Sequence, residues 1–114
     1  MSCNTNKTTT EIKRGSTFEQ TLSCLDESET YVNISGWTVE SDLKVSPDET
    51  GLLSFDVDDS LFVSGIVNIS ATPAQTLTLP ANLNLQYDVK FTEPSGQIHY
   101  TETLYLKTSK HITD

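Results

Sequence analysis

Between positions 37 and 45 the chain alternates. Trp37, Val39, Leu43 and Val45 share one register with Ser41, and Thr38, Glu40, Asp42 and Lys44 fill the other. Successive side chains on a strand point to opposite faces, so this spacing predicts a strand with one dry and one wet face. The pattern recurs along the chain. Phe18, Gln20, Leu22 and Cys24 alternate with Thr17, Glu19, Thr21 and Ser23. Leu53, Phe55 and Val57 form another such set, and Tyr87, Val89 and Phe91 alternate with Asp88 and Lys90.

Turn signals separate these runs. "DESET" at 26–30, "SPDETG" at 46–51, "DDS" at 58–60 and the Pro94-Ser95-Gly96 stretch supply the Gly, Pro, Asp and Ser residues that turns favour. The segment 71–82, "ATPAQTLTLPAN", departs from period two. Thr72 is placed to cap a helix, with Pro73 at its first position, Gln75 completing a capping box and Pro80 ending the segment. One short helical turn near 72–78 is expected.

Short strands with regular turns in a 114-residue chain predict an all-β domain. The expected architecture is a single Ig-like antiparallel β-sandwich of about seven to eight strands. Its predicted core anchors are Phe18, Leu22, Trp37, Val39, Leu43, Phe55, Val57, Tyr87, Val89 and Phe91. Trp37 shares a face with Val39 and Leu43, and full burial would make its replacement by Ala cost ~3–5 kcal/mol. Residues 10–114 form the domain. Residues 1–9, polar and without period, read as an N-terminal arm whose Ser2, Cys3, Asn4, Thr5, Asn6 and Lys7 are candidate assembly contacts. Removing the arm is expected to leave the melting temperature nearly unchanged.

Seven basic and sixteen acidic residues give a formal charge of −9. Such a chain is repelled by nucleic acid and by anionic membranes, which points to protein partners. No apolar segment follows Met1, and no apolar run approaches the ~18 residues of a spanning helix. Cytoplasmic synthesis is therefore expected, with Cys24 as a buried thiol and Cys3 as an exposed one rather than a disulfide. Asn6, Asn33 and Asn68 fit the glycosylation acceptor pattern, and without an export signal they read as chance.

Chemistry leaves little trace. His99 and His111 have no further ligands at metal spacing, and His99, opposite Ile98 and Tyr100, reads as a solvent-facing strand residue. Asp56, Asp58 and Asp59 lie close together but lack the glycine and further acceptors of a calcium loop. Phosphate-loop, dinucleotide and nucleophile-elbow motifs are missing from the sequence. No catalytic, cofactor-binding or metal residue is predicted, and no cofactor.

The order of motifs carries a resemblance. Arg14, Gly15, Thr17 and Phe18 open the domain, Gly36 and Trp37 enter the next strand, Ala71 to Thr76 form a turn, and Tyr87, Asp88 and Val89 precede a glycine-containing hairpin. Over about residues 11–108 this resembles the small β-sandwich structural proteins of tailed bacteriophages and prophages, similar to the N-terminal domain of the phage baseplate upper protein. The resemblance implies a non-enzymatic virion part, made in the bacterial host cytoplasm and incorporated in the virion. Its partners would be other virion proteins or further copies of itself in a symmetric assembly. A tail, baseplate or fibre-attachment (adaptor) component is expected first. A capsid decoration or head–neck accessory protein is the alternative. A host- or carbohydrate-binding module is the alternative of another class, and it would require a solvent-facing aromatic platform.

Overall fold

The computed structural model describes residues 2–5, 10–46 and 48–110. Among them the chain forms β1 (Ser2–Thr5), β2 (Glu11–Lys13), β3 (Phe18–Leu25), β4 (Thr38–Glu40), β5 (Asp42–Lys44), β6 (Leu53–Ser54) and β7 (Asp56–Asp58). A 3-10 turn (Phe62–Ser64) leads into β8 (Ile66–Ala71), followed by helix α1 (Pro73–Leu77). The remaining strands are β9 (Asn84–Tyr87), β10 (Lys90–Thr92), β11 (Ile98–Tyr100) and β12 (Leu104–Ser109). Among the described residues the protein is all-β with one short α-helix.

The strands are shorter and more numerous than alternation predicts, because several runs are cut where they pass from one sheet to another. A first sheet has the order β1-β3-β8-β7, and a second the order β2-β12-β9-β5-β6. A third, β11-β10-β4, continues the second. The ladder pairs Leu43 with Tyr87 and, beyond the break, Phe91 with Val39, without a change of offset. Alternation survives the break: Leu85, Tyr87, Val89 and Phe91 are all buried. The expectation of a wholly antiparallel arrangement is corrected at one place. β2 runs parallel to β12, with Glu11 opposite Lys107 and Lys13 opposite Ser109.

One apolar cluster joins the sheets. Phe18 on β3 stacks on Phe55 with ring centroids 5.3 Å apart, and Tyr87 on β9 meets Phe55 edge-on at 5.3 Å. Phe55 lies at the crossover from β6 to β7 and so fills the space between layers. Leu22, Val39, Leu43, Val89 and Phe91 are buried as expected. Val57 is half-buried, since β7 is an edge strand, and Val45, past the end of β5, is exposed.

The segment 72–83 behaves as its sequence predicts at its start. Thr72 Oγ1 accepts from the Gln75 N–H (3.2 Å), and Gln75 Oε1 accepts from the Thr72 N–H (2.8 Å). Its attachment to the domain was not predicted. Arg14 donates through Nε to the Leu79 carbonyl (2.5 Å) and through a terminal nitrogen to the Leu77 carbonyl (2.9 Å). The fully buried Thr76 hydroxyl accepts from the Gly15 N–H (3.1 Å) and donates to the Ser16 carbonyl (2.7 Å). Two motifs some sixty positions apart are thus one latch. Gly65, at φ +74, is required as glycine, because a Cβ there would stand 2.7 Å from the Val32 carbonyl.

The N-terminal residues correct two expectations. Residues 2–5 are not a loose arm but an edge strand paired antiparallel to β3, with Cys3 directly opposite Cys24. The two sulfurs form a disulfide rather than one exposed and one buried thiol. Cys24 faces inward as its register predicts, whereas Cys3 sits among polar neighbours whose pairing no local pattern signals. Asn6, Lys7 and His111 lie outside the described residues.

Replacing Thr76 by Val should keep the volume but leave the Gly15 N–H and Ser16 carbonyl without their partner. A loss of about 1–3 kcal/mol in urea unfolding is expected, with α1 amides exchanging faster. Unfolding indistinguishable from wild type would show that the latch contributes nothing.

Candidate interaction face

The second sheet and its extension present an outer face whose shape is set by one extra residue. Tyr100 pairs with Lys90, and Tyr105 pairs with Gln86. These positions are five apart on one side of the ladder and four apart on the other, so residues 101–103 hold one residue more than the strand they face. An inserted residue of this kind bends a strand and re-aims the side chains beyond it. Strict alternation would send Tyr100 and Tyr105 to opposite faces. Both instead point outward, at 61% and 68% exposure.

The bend is held by hydrogen bonds. Thr101 N–H donates to the Val89 carbonyl (3.0 Å), and Val89 N–H donates to Thr101 Oγ1 (3.0 Å). Across the adjacent break the buried Ser41 hydroxyl donates to the Asp88 carbonyl (2.7 Å). These bonds satisfy backbone groups that the interrupted ladder would leave open.

Above the break lies an open groove of about 340 Å³. Glu40, Asp42 and Lys44 line it from β4 and β5, Gln86, Asp88 and Lys90 from β9 to β10, and Tyr100 and Thr103 from the bent strand. Three carboxylates and two ammonium groups thus share one face with two tyrosines. The Asp42 carboxylate is oriented by the Ser54 hydroxyl (2.6 Å), and the Gln86 amide donates to the Val45 carbonyl (3.0 Å). Tyr87 closes the floor and belongs to the core, where burial pushes its hydroxyl from 10.0 up to about 12.

At the far end of the extension, Trp37 stacks on His99 (centroids 5.9 Å apart, planes 17° from parallel). His99 Nε2 is 2.7 Å from Glu93 Oε2. The expected register of Trp37 is right, since Val39 two positions on is buried. Its expected role as a core anchor is met in part: Trp37 packs against the core cluster but is half-buried, with the imidazole of His99 stacked on it. The expectation for His99 is reversed, because the extra residue turns Ile98 and Tyr100 outward and leaves His99 on the core side, half-buried.

The other candidates separate. Asp58 Oδ1 accepts from the Ser60 N–H (2.9 Å), which closes the 58–60 turn and holds its carboxyl below the ordinary range. Among the described residues no three His, Cys, Asp or Glu side chains are placed to hold a metal ion. Asn33 closes a turn with the Ser35 N–H, and Asn68 accepts from the Thr21 hydroxyl. Among the described residues no helix is long and apolar enough to cross a membrane. Ser2, Cys3 and Asn4 line a second, smaller slot together with Phe91 and residues 99–102, and Thr5 ends β1 beside it. Sequence reasoning missed Tyr100 and Tyr105; the signal available was their odd spacing in a strand otherwise read as regular.

The chain matches no family model and no curated protein.

Two measurements check this face. Trp37→Ala should cost about 1–2 kcal/mol, because only part of the ring leaves water, against ~3–5 kcal/mol for Phe91→Ala. Equal losses would place Trp37 in the core proper. Tyr87 is neutral when folded and ionises more readily when unfolded. Its contribution to stability is fully present below pH 10 and is lost as pH rises toward 12. Tyr87→Phe should flatten the fall in stability across that window, and an unchanged slope would show that Tyr87 does not set it.

Proposed function

We propose that the chain is a non-enzymatic structural component of a bacteriophage particle, a tail, baseplate or fibre-attachment (adaptor) part acting through protein–protein contacts. The observation that carries the contact reading is the outward pairing of Tyr100 and Tyr105 beside a mixed-charge groove on a rigid sheet. Tyrosine combines apolar area with a polar tip at low entropic cost, which is why it is enriched where proteins meet. Lys44 and Lys90 set against Glu40, Asp42 and Asp88 give the face a charge pattern that selects orientation.

The finer architecture we assign is an Ig-like sandwich. The order β1-β3-β8-β7 corresponds to strands A-B-E-D of that fold, and β12-β9-β5 to G-F-C. The disulfide departs from the antibody pattern, since it lies within the first sheet rather than between sheets. The phage context rests on the motif order, supported by the latch in which the Arg14-Gly15 and Ala71–Thr76 motifs bond to one another. Multiple copies in a symmetric assembly, with other virion proteins as partners, fit this role, and the charge of −9 disfavours nucleic acid or an anionic membrane as partner.

A second reading has its own observation. Two exposed tyrosines flanking carboxylates and an amide are also a platform for sugar rings, so a host-glycan-binding module is the alternative. A capsid decoration or head–neck accessory protein is the structural alternative, and copy number per particle separates it from a tail part.

The test is a Tyr100→Ala/Tyr105→Ala variant. Its melting temperature should stay close to wild type, since both rings are exposed. Its incorporation into particles should fall at least about tenfold, as expected for loss of aromatic anchors. Normal incorporation would overturn the face, and absence of the wild-type chain from purified particles would overturn the structural role. Glycan binding abolished by the same variant would favour the second reading.

A further inference from the structure

β1 is an edge strand with a single buried side chain. Ser2 and Asn4 are exposed, Thr5 is half-buried, and Cys3 alone is buried. Its hold on the first sheet is the backbone ladder from Ser2↔Leu25 to Thr5↔Leu22 together with the disulfide to Cys24. Beside it opens a slot of about 140 Å³, bordered by Cys3, Asn4, His99, Tyr100 and Glu102. Cys3 reaches this slot at 8% exposure, whereas Cys24 has 0%. Of the two bonded cysteines, Cys3 is the more exposed and the one that borders the slot.

We propose that Cys3 is a thiol–disulfide exchange site, and that exchange there lets β1 pass to the β3 edge of a second copy of this chain. A small thiolate attacks Cys3 Sγ. The Cys3–Cys24 bond breaks, a bond from the attacking sulfur to Cys3 forms, and Cys24 leaves as a thiolate. With its covalent anchor gone, β1 is held by its ladder and the burial of one small side chain, and the edge of β3 can open. The Cys24 thiolate of one copy then attacks the mixed disulfide on Cys3 of the other and expels the small thiol. That thiol is regenerated, so no net oxidant or reductant is consumed. Two disulfides within chains become two between chains.

The register identifies the occupant. The open edge from Leu22 to Leu25 offers one backbone row and one cysteine, and β1 places a cysteine opposite Cys24 when it pairs. A strand without that cysteine could pair but could not relink. Closed and exchanged forms share the β1–β3 ladder and the Cys3–Cys24 bond, so concentration decides between them. The charge of −9 on each copy opposes the exchange at low salt and is screened at about 0.15 M.

The full chain is incubated at about 0.15 M salt with a trace of reduced glutathione, alkylated, and resolved without reductant by gel and intact mass. A covalent dimer without free thiols is expected, its ratio to monomer rising about tenfold for each tenfold rise in concentration. Peptide mapping should find Cys3 joined to Cys24 across chains. Cys3→Ser mixed with Cys24→Ser under oxidised glutathione should give one heterodimer through the two remaining cysteines. A chain that stays monomeric, or dimers joined Cys3 to Cys3 or Cys24 to Cys24, would overturn the proposal. If Cys24→Ser fails to fold, the wild-type experiment decides alone.

Discussion

The contact of three aromatic rings is what makes the layers one body. Phe18 comes from the first sheet, Tyr87 from the second and Phe55 from the strand that crosses between them, with Phe18 and Tyr87 edge-on at 6.4 Å. Offset and edge-on rings of this kind add to the apolar area they bury. The arrangement also fixes where the chain changes sheet. Phe55 donates its backbone N–H to the Ser41 carbonyl, so the crossover is tied to the break in the neighbouring strand. The groove on the far side of the second sheet is the outward consequence of the same break, with Tyr87 packed against Phe18 and Phe55 and its neighbour Asp88 lining the groove.

Polar groups complete what the rings begin. Thr76 and Thr108 are both fully buried, and both spend their hydroxyls on backbone. Thr108 donates to the Pro80 carbonyl (2.5 Å) and accepts from the Leu83 N–H (3.0 Å), so the connection after α1 is gripped at its far end as Thr76 grips its start. An irregular segment can lie against a core only when its backbone groups find partners. These two threonines supply them, and Arg14 covers the carbonyls left open at the end of the short helix.

Much of this was legible in the sequence because period two needs only local information. The faces of Phe18, Leu22, Leu43, Phe55, Tyr87, Val89 and Phe91 follow from it, as does the Thr72 cap. Where an element's partner decides the outcome, the pattern was silent. Trp37 has the correct face and packs against the core cluster, but on the extension its other side meets His99 and it stays half-buried. Val57 has the correct face on an edge strand. Ile98, Tyr100, Leu104 and Leu106 are all even-numbered and look like one face, yet one extra residue between them reverses the first pair. Cys3 carries no periodic signal, because a four-residue strand with one apolar side chain has no period to read. Thr76 and Thr108 look like ordinary surface threonines until their distant backbone partners are known.

The parallel pairing of β2 with β12 bears on how the chain is made. Ile12 is buried and sits opposite Thr108, so β2 is completed by a strand that is made after every other described strand. β1 and β3, by contrast, are close in sequence and pair with each other. During synthesis β1 and β3 can pair early, while Glu11–Lys13 must wait without a ladder partner. Non-local pairings of this kind are slow, because a long loop is closed before the contact repays it. β12 is therefore the strand that joins β2 to the rest of the second sheet, and a nascent chain that has not yet made it leaves β9 with an unpaired edge that a chaperone or a neighbouring chain can occupy.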